Sequence, residues 1–156
     1  MIRLRIVEEL DNIENVTELL YQCYPFFQID DPILVSDPKH KKIKLEELSF
    51  LVSLQNATKH YIIVEEEDTL VGFAALNMLA LQGFYSLSWV AVPESHRGQG
   101  IAKNMVREAI RFSRAKGQEV VLSTEIPDFY ENLGFSISNE FKPGWYLMST
   151  SSMKGE

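Results

Sequence analysis

The sequence predicts an α/β protein: a mixed, mainly antiparallel central sheet with a splayed parallel strand pair and helices on both faces. Three observations carry that expectation. Three strand-like segments between Tyr61 and Val92 follow one another through short connections, as in an antiparallel meander. The last of them passes through a glycine turn into an apolar-periodic segment that lasts to about Lys116. A further strand, Glu119–Thr124, follows, and a strand, helix and strand in that succession imply a parallel neighbour reached by a right-handed crossover.

Taken in order, Met1–Val7 alternates Ile2, Leu4 and Ile6 with Arg3 and Arg5, the pattern of a half-buried strand. Asp11 or Asn12 is placed to cap a helix through Ile13, Val16, Leu19, Leu20 and Tyr24. Glu14 completes a capping box with Asp11, and Pro25 stops the helix. Residues Phe26 to Leu34 are too apolar for a free loop, so they are expected to pack over the domain or to line a groove. Asp37-Pro38 opens a second helical stretch to about Asn56. Tyr61–Glu65, then Thr69–Leu81 around Gly72, then Phe84–Val92 form the meander, joined by Glu66-Glu67-Asp68 and by Gln82-Gly83. Gly117 ends the long helix that starts near Gly98, Asp128–Leu133 is a short helix stopped by Gly134, and Ser136–Asn139 and Trp145–Thr150 are the closing strands around Pro143-Gly144. The tail Ser151–Glu156 is polar and expected to fray.

With 156 residues the chain reads as a single domain, 1–156, able to bury a real core. A net charge of −7 argues against nucleic acid as partner, and no apolar run approaches the roughly 20 residues needed to cross a bilayer. The first residues are too charged for a signal peptide. The single cysteine, Cys23, fits a reducing compartment, and the cytoplasm is the expected location. His40, His60 and His96 are scattered without metal-ligand spacing, so no metal is expected.

The segment with the clearest chemistry is Trp89 to Ala102, where a strand ends at Pro93 and a turn bearing Arg97, Gly98 and Gly100 opens a helix. First-turn amides of a helix have no internal acceptor, and the aligned peptide dipoles add positive charge there, which suits phosphate. The spacing is neither the dinucleotide fingerprint nor a triphosphate loop. Ile101, Met105, Ala109 and Phe112, helped by Ala102 and Val106, form the inward side of the helix. Lys103, Arg107, Arg111 and Arg114 form a basic stripe, read either as a solvated face or as help in holding a polyanion. A bulge near Pro93 that splayed the two parallel strands would open a slot beside this turn for a long ligand.

Two blocks, Val92-Pro93-Glu94-Ser95-His96-Arg97-Gly98-Gln99-Gly100-Ile101-Ala102 and Phe129-Tyr130-Glu131-Asn132-Leu133-Gly134-Phe135, are similar to motifs of the Gcn5-related N-acetyltransferase (GNAT) superfamily, and the chain resembles that family in its order of elements. The resemblance implies acetyl-CoA as cosubstrate. Val90, Ala91 and Val92 would engage the pantetheine arm, and Arg97, Gly98, Gln99, Gly100, Ile101 and Ala102 would wrap the pyrophosphate. Tyr130 would give a proton to the departing thiolate. It implies transfer of an acetyl group to a primary amine of a small molecule or peptide, an N-terminal amine of a ribosomal protein included, by direct attack in a ternary complex. A homodimer fits the same expectations.

The strand Phe84 to Trp89 lacks the Asp or Glu frequent in the family, and Ile126-Pro127 occupy the approach where an asparagine often stands. The general base is therefore open among Glu125, Asp30, Asp31, Glu65 and water, and Phe27, Asp30 and Asp31 are the candidate acceptor-binding residues. The missing strand carboxylate also raises an alternative, a catalytically silent acyl-CoA-binding regulatory module.

Overall fold

In the computed structural model, which describes residues 1–23, 58–77 and 83–150, the strands are β1 (Ile2–Val7), β2 (Thr58–Glu66), β3 (Thr69–Asn77), β4 (Phe84–Ala91), β5 (Glu119–Thr124), β6 (Phe135–Lys142) and β7 (Trp145–Thr150). The helices are α1 (Ile13–Cys23), α2 (Ile101–Arg114) and α3 (Pro127–Glu131), and a 3₁₀ turn, Glu94–His96, precedes α2. The strands form one sheet in the order β1-β2-β3-β4-β5-β7-β6, parallel between β4 and β5 and antiparallel elsewhere. The mixed sheet expected from the sequence is the observed one. The expected helix 37–56, the apolar segment 26–34, the end of the long strand at 78–81 and the tail 151–156 lie outside the described residues.

Alternation along β2 and β3 explains why both faces are covered. Ile62, Val64, Ala74 and Leu76 point to the α2 side, where Ile101, Met105, Val106 and Ala109 complete a buried cluster. Tyr61, Ile63, Phe73 and Ala75 point the other way, against Val16, Leu19 and Leu20 of α1. The β2–β3 turn is carried by Glu67 and Asp68 at φ 48° and 70°, the left-handed pair of a tight hairpin. Gly72 sits where a Cβ would come within 2.9 Å of Ile101 Cγ2 and 3.0 Å of Val64 Cβ, so the first turn of α2 rests directly on the backbone of β3.

Four local details decide between, or depart from, the sequence expectations. The cap of α1 is Asn12, whose Oδ1 accepts the Asn15 N–H at 3.1 Å. Asp11 instead lies 3.5 Å from Arg5. α2 starts at Ile101 rather than Gly98 because Gly98 and Gly100 both hold positive φ, 81° and 83°, which a right-handed helix does not admit. Ser113 is fully buried while Phe112 is half-buried beside His60, with ring centroids 4.6 Å apart. β6 extends to Lys142, well past Asn139, although all its residues after Phe135 are exposed.

Candidate functional site

The splay is present. On β4, Ala91 stands opposite Phe73 and Ser88 opposite Ala75, so β4 carries one residue more than its partner, and Trp89 takes φ 59° at that bulge. Pairing with β5 runs through Phe84↔Glu119, Tyr85↔Val120 and Ser86↔Val121 and stops there. β5 meanwhile stays paired with β7 as far as Thr124↔Tyr146. The two central strands therefore part, and a cleft of about 400 Å³ opens between them. Val90, Ala91 and Val92 form one wall, Ser123, Thr124 and Glu125 the other, and Tyr130, Trp145 and Cys23 close it.

Arg97 and Ala102 bring the helix start to the same cleft. The His96 N–H donates to Pro93 O at 2.9 Å and the Arg97 N–H to Glu94 O at 3.3 Å. The first helical bond is Asn104 N–H to Gly100 O at 3.0 Å. Between them, the N–H groups of Gly98 through Lys103 have no acceptor among the described residues. A run of unused donors at the head of a 14-residue helix, next to a cleft, has the geometry that suits an anion. No neighbouring atom lies within 4 Å of a Cβ built at Gly98 or Gly100, so their positive φ, rather than protein crowding, requires glycine. The turn is braced from outside: His96 Nε2 lies 2.7 Å from Glu66 Oε1, and its Nδ1 lies 2.8 Å from Ser95 Oγ.

The Arg97 side chain turns inward, its Nε–H donating to Val92 O at 2.9 Å. Cys23 Sγ reaches the same oxygen at 3.4 Å. The carbonyl of Val92 is thus taken by the protein itself. Burial pushes the Cys23 thiol above its ordinary pKa, with Arg97 opposing, so Cys23 acts as a neutral donor. Tyr130 is 7% exposed, held edge-on by Phe129 (4.9 Å) and Phe135 (5.5 Å). Its hydroxyl has no hydrogen-bond partner among the described residues, and burial pushes its pKa up to about 12. Glu125 is exposed on the cleft wall just after β5.

The structure therefore brings together Val90, Ala91, Val92, Arg97, Ala102, Glu125 and Tyr130 around one cleft, with Gly98, Gln99, Gly100 and Ile101 at its end. Phe27, Asp30 and Asp31 lie outside the described residues. Glu65 belongs elsewhere: Arg5 Nε lies 3.2 Å and Arg3 Nη2 3.6 Å from its carboxylate, and the bond to Arg5 holds its pKa below the usual range. It is a structural ion pair on β2 and is removed from the candidate bases. The basic stripe is partly neutralised, Arg111 by Glu108 at 3.1 Å and Arg114 by Glu119 at 3.0 Å, which makes those two positions a solvated face. Cys23 and Trp145 were not expected here. Trp145 directly follows the Pro143-Gly144 turn, a signal that it sits at a strand mouth, whereas nothing in the sequence places Cys23.

A splayed parallel pair meeting a glycine-turned helix start defines the acyl-CoA N-acyltransferase class of fold. The model of the "Acetyltransferase (GNAT) family" matches residues 13–135, and the chain belongs to that family. The chain is 29% identical over 82 residues to the uncharacterized N-acetyltransferase YhbS of Escherichia coli K12. That match takes in 49% of this chain and 48% of the relative, so the chain spans about half the length of the curated relatives it matches. In fold it is similar to the PaiA N-acetyltransferase of Thermoplasma acidophilum, solved in complex with coenzyme A (TM-score 0.67, 19% identity, 96% of this chain and 99% of that one). It is likewise similar to an acyl-CoA N-acyltransferase of Pseudomonas aeruginosa (TM-score 0.71, 13% identity, 97% and 100%).

Proposed function

We propose that the protein transfers an acetyl group from acetyl-CoA to a primary amine. The observation that carries this reading is the meeting of the β4–β5 cleft with the unused amides of Gly98 through Lys103. Those amides suit the diphosphate of coenzyme A, and Val90–Val92 offer a wall along which its arm can lie. Bound acetyl-CoA supplies a thioester carbon open to attack by an amine. The chain's own contribution is to position and to manage charge.

An ammonium has no lone pair, so a proton must leave before the carbon–nitrogen bond forms. Glu125 is the one carboxylate among the described residues lining the cleft, and this supports it as acceptor of that proton, directly or through water. As the carbon–sulfur bond breaks, negative charge develops on sulfur, and the Tyr130 hydroxyl is an uncommitted donor to meet it. Burial pushes the Tyr130 pKa up to about 12 and would raise that of a sulfur beside it as well, so the phenol is protonated and able to donate when the bond breaks. Tyr130 donates a hydrogen bond to the departing sulfur, and the second proton that the nitrogen sheds on becoming an amide neutralises the thiolate.

The test is free-thiol release from acetyl-CoA against a panel of amines, with mass detection of the acetylated product. The absence of an acid on β4 (Phe84–Ala91) favours a second reading, an acyl-CoA-binding regulatory module. Coenzyme A binding with no transfer to any amine would select that reading. No binding would end both.

A further inference from the structure

We infer that the acceptor is a primary amine carrying a single charge on an apolar, aromatic-sized body, seated against Trp145, Ile126 and Phe129 near Glu125. This rests on the acetyl-transfer reading above and names its substrate class. All four residues line the one cleft. Each apolar wall is fixed by a contact of its own. The Ile126 N–H donates to Thr124 Oγ1 at 2.9 Å, and this turn leaves the Ile126 side chain 59% exposed at the cleft instead of buried. Phe129 is locked at 86° to Tyr130, with centroids 4.9 Å apart. Over the Trp145 ring lies Lys142 Nζ, 5.3 Å from the centroid, which fixes the indole at the mouth. An exposed isoleucine and a tryptophan held at the rim of a cleft are a binding surface for an apolar group.

The charges around the cleft choose the valence of the guest. One carboxylate, Glu125, lines it among the described residues, and the one cation in that lining, Arg97, sits at the end given to coenzyme A. One ammonium finds a partner there. A polycation finds no second carboxylate among the described residues lining the cleft.

The experiment compares kcat/KM for 2-phenylethylamine, ethylamine and spermidine with acetyl-CoA, in the wild type and in Trp145→Ala and Ile126→Ser. Coenzyme A affinity is measured in parallel by calorimetry. Expected is a preference for 2-phenylethylamine over both other amines of about tenfold or more, the scale of a filled apolar pocket. Each variant should lose about tenfold in its preference for 2-phenylethylamine over ethylamine, through the KM of the aromatic amine, a ratio in which any shared effect on acetyl-CoA cancels. Ile126 is exposed, so Ile126→Ser guards against a folding failure of the tryptophan variant. Preference for spermidine, or variants indifferent to the aromatic amine, overturns the inference while leaving acetyl transfer standing. Coenzyme A binding without transfer to any of the three also overturns it, and loss of coenzyme A binding in the wild type removes the parent reading with it.

Discussion

The Nε–H of Arg97 donates to the carbonyl oxygen of Val92 at 2.9 Å, tying the glycine turn to the end of the strand that leaves the sheet. One guanidinium thereby ties the unused amides of the glycine turn to the wall of the cleft. Cys23 adds a second donor to the same oxygen from the end of α1. Replacing Arg97 with Ala should let the two halves of the site drift. Coenzyme A affinity is expected to fall about tenfold, near the lower end for a charged hydrogen bond because Arg97 is exposed. Calorimetry on Arg97→Ala and Arg97→Lys checks this, and an unchanged affinity in both would remove Arg97 from the site.

Gly100 caps α2 at φ 83° and ψ 12°. Gly100→Val must either strain this left-handed turn, at about 1–2 kcal/mol, or re-aim the amides. A matched strain at the far end of the helix, Gly117→Val (φ 77° for the native glycine), controls for stability. Both variants should lose similar thermal stability. Coenzyme A binding should fall more than tenfold in Gly100→Val alone.

For Tyr130→Phe, stability should hold, since the hydroxyl has no partner among the described residues and the ring keeps its edge contacts. Turnover should drop by about 10²-fold, the lower range for a lost catalytic donor. The KM for acetyl-CoA should move less than threefold. Because the phenol titrates near 12, the wild-type rate profile should show no limb from Tyr130 between pH 6 and 9. A basic limb that disappears in the variant would contradict the hydrogen-bond role.

His60 sets a different pH dependence. Burial lowers its pKa below 6.5, Lys116 lowers it further and Glu8 opposes. The unfolded chain then binds more protons than the folded one just below pH 6.5, so this stability is present above 6.5 and is lost as pH falls through the window beneath it. Glu65, held down by its bond to Arg5, adds a second loss only in the acid range below about 4.5. Urea midpoints at pH 7.5 and 5.5 should differ more for the wild type than for His60→Gln. Equal differences would assign the loss to other groups.

Much of the site was legible because it is local in sequence. The strand, the two glycines and the helix at Val90–Ala102 sit within one continuous run, and the turn they make fixes where the amides face. The fold followed from period-2 and helical patterning, with β5 and β7 matching at both ends. What stayed hidden was set by tertiary packing. The long β6 carries no buried alternation after Phe135, because it is an edge strand exposed on its outer flank. Ser113 is buried next to Phe112, whose half-buried ring packs against the core and against His60, and a polar residue gives no pattern signal of burial. Cys23 reaches the cleft through the docking of α1 on β3 and β4, and no local pattern reports that.

The early end of pairing between β4 and β5 makes the sheet mechanically two plates sharing a narrow seam. β1 to β4 form one plate and β5, β7 and β6 the other, stitched by the pairs from Phe84↔Glu119 to Ser86↔Val121 and bridged by α2. A molecule lying in the gap would span both plates and act as a rivet. Amide exchange along Leu122–Thr124 and Val90–Val92 would then slow together on loading, at a distance from any atom where bonds change.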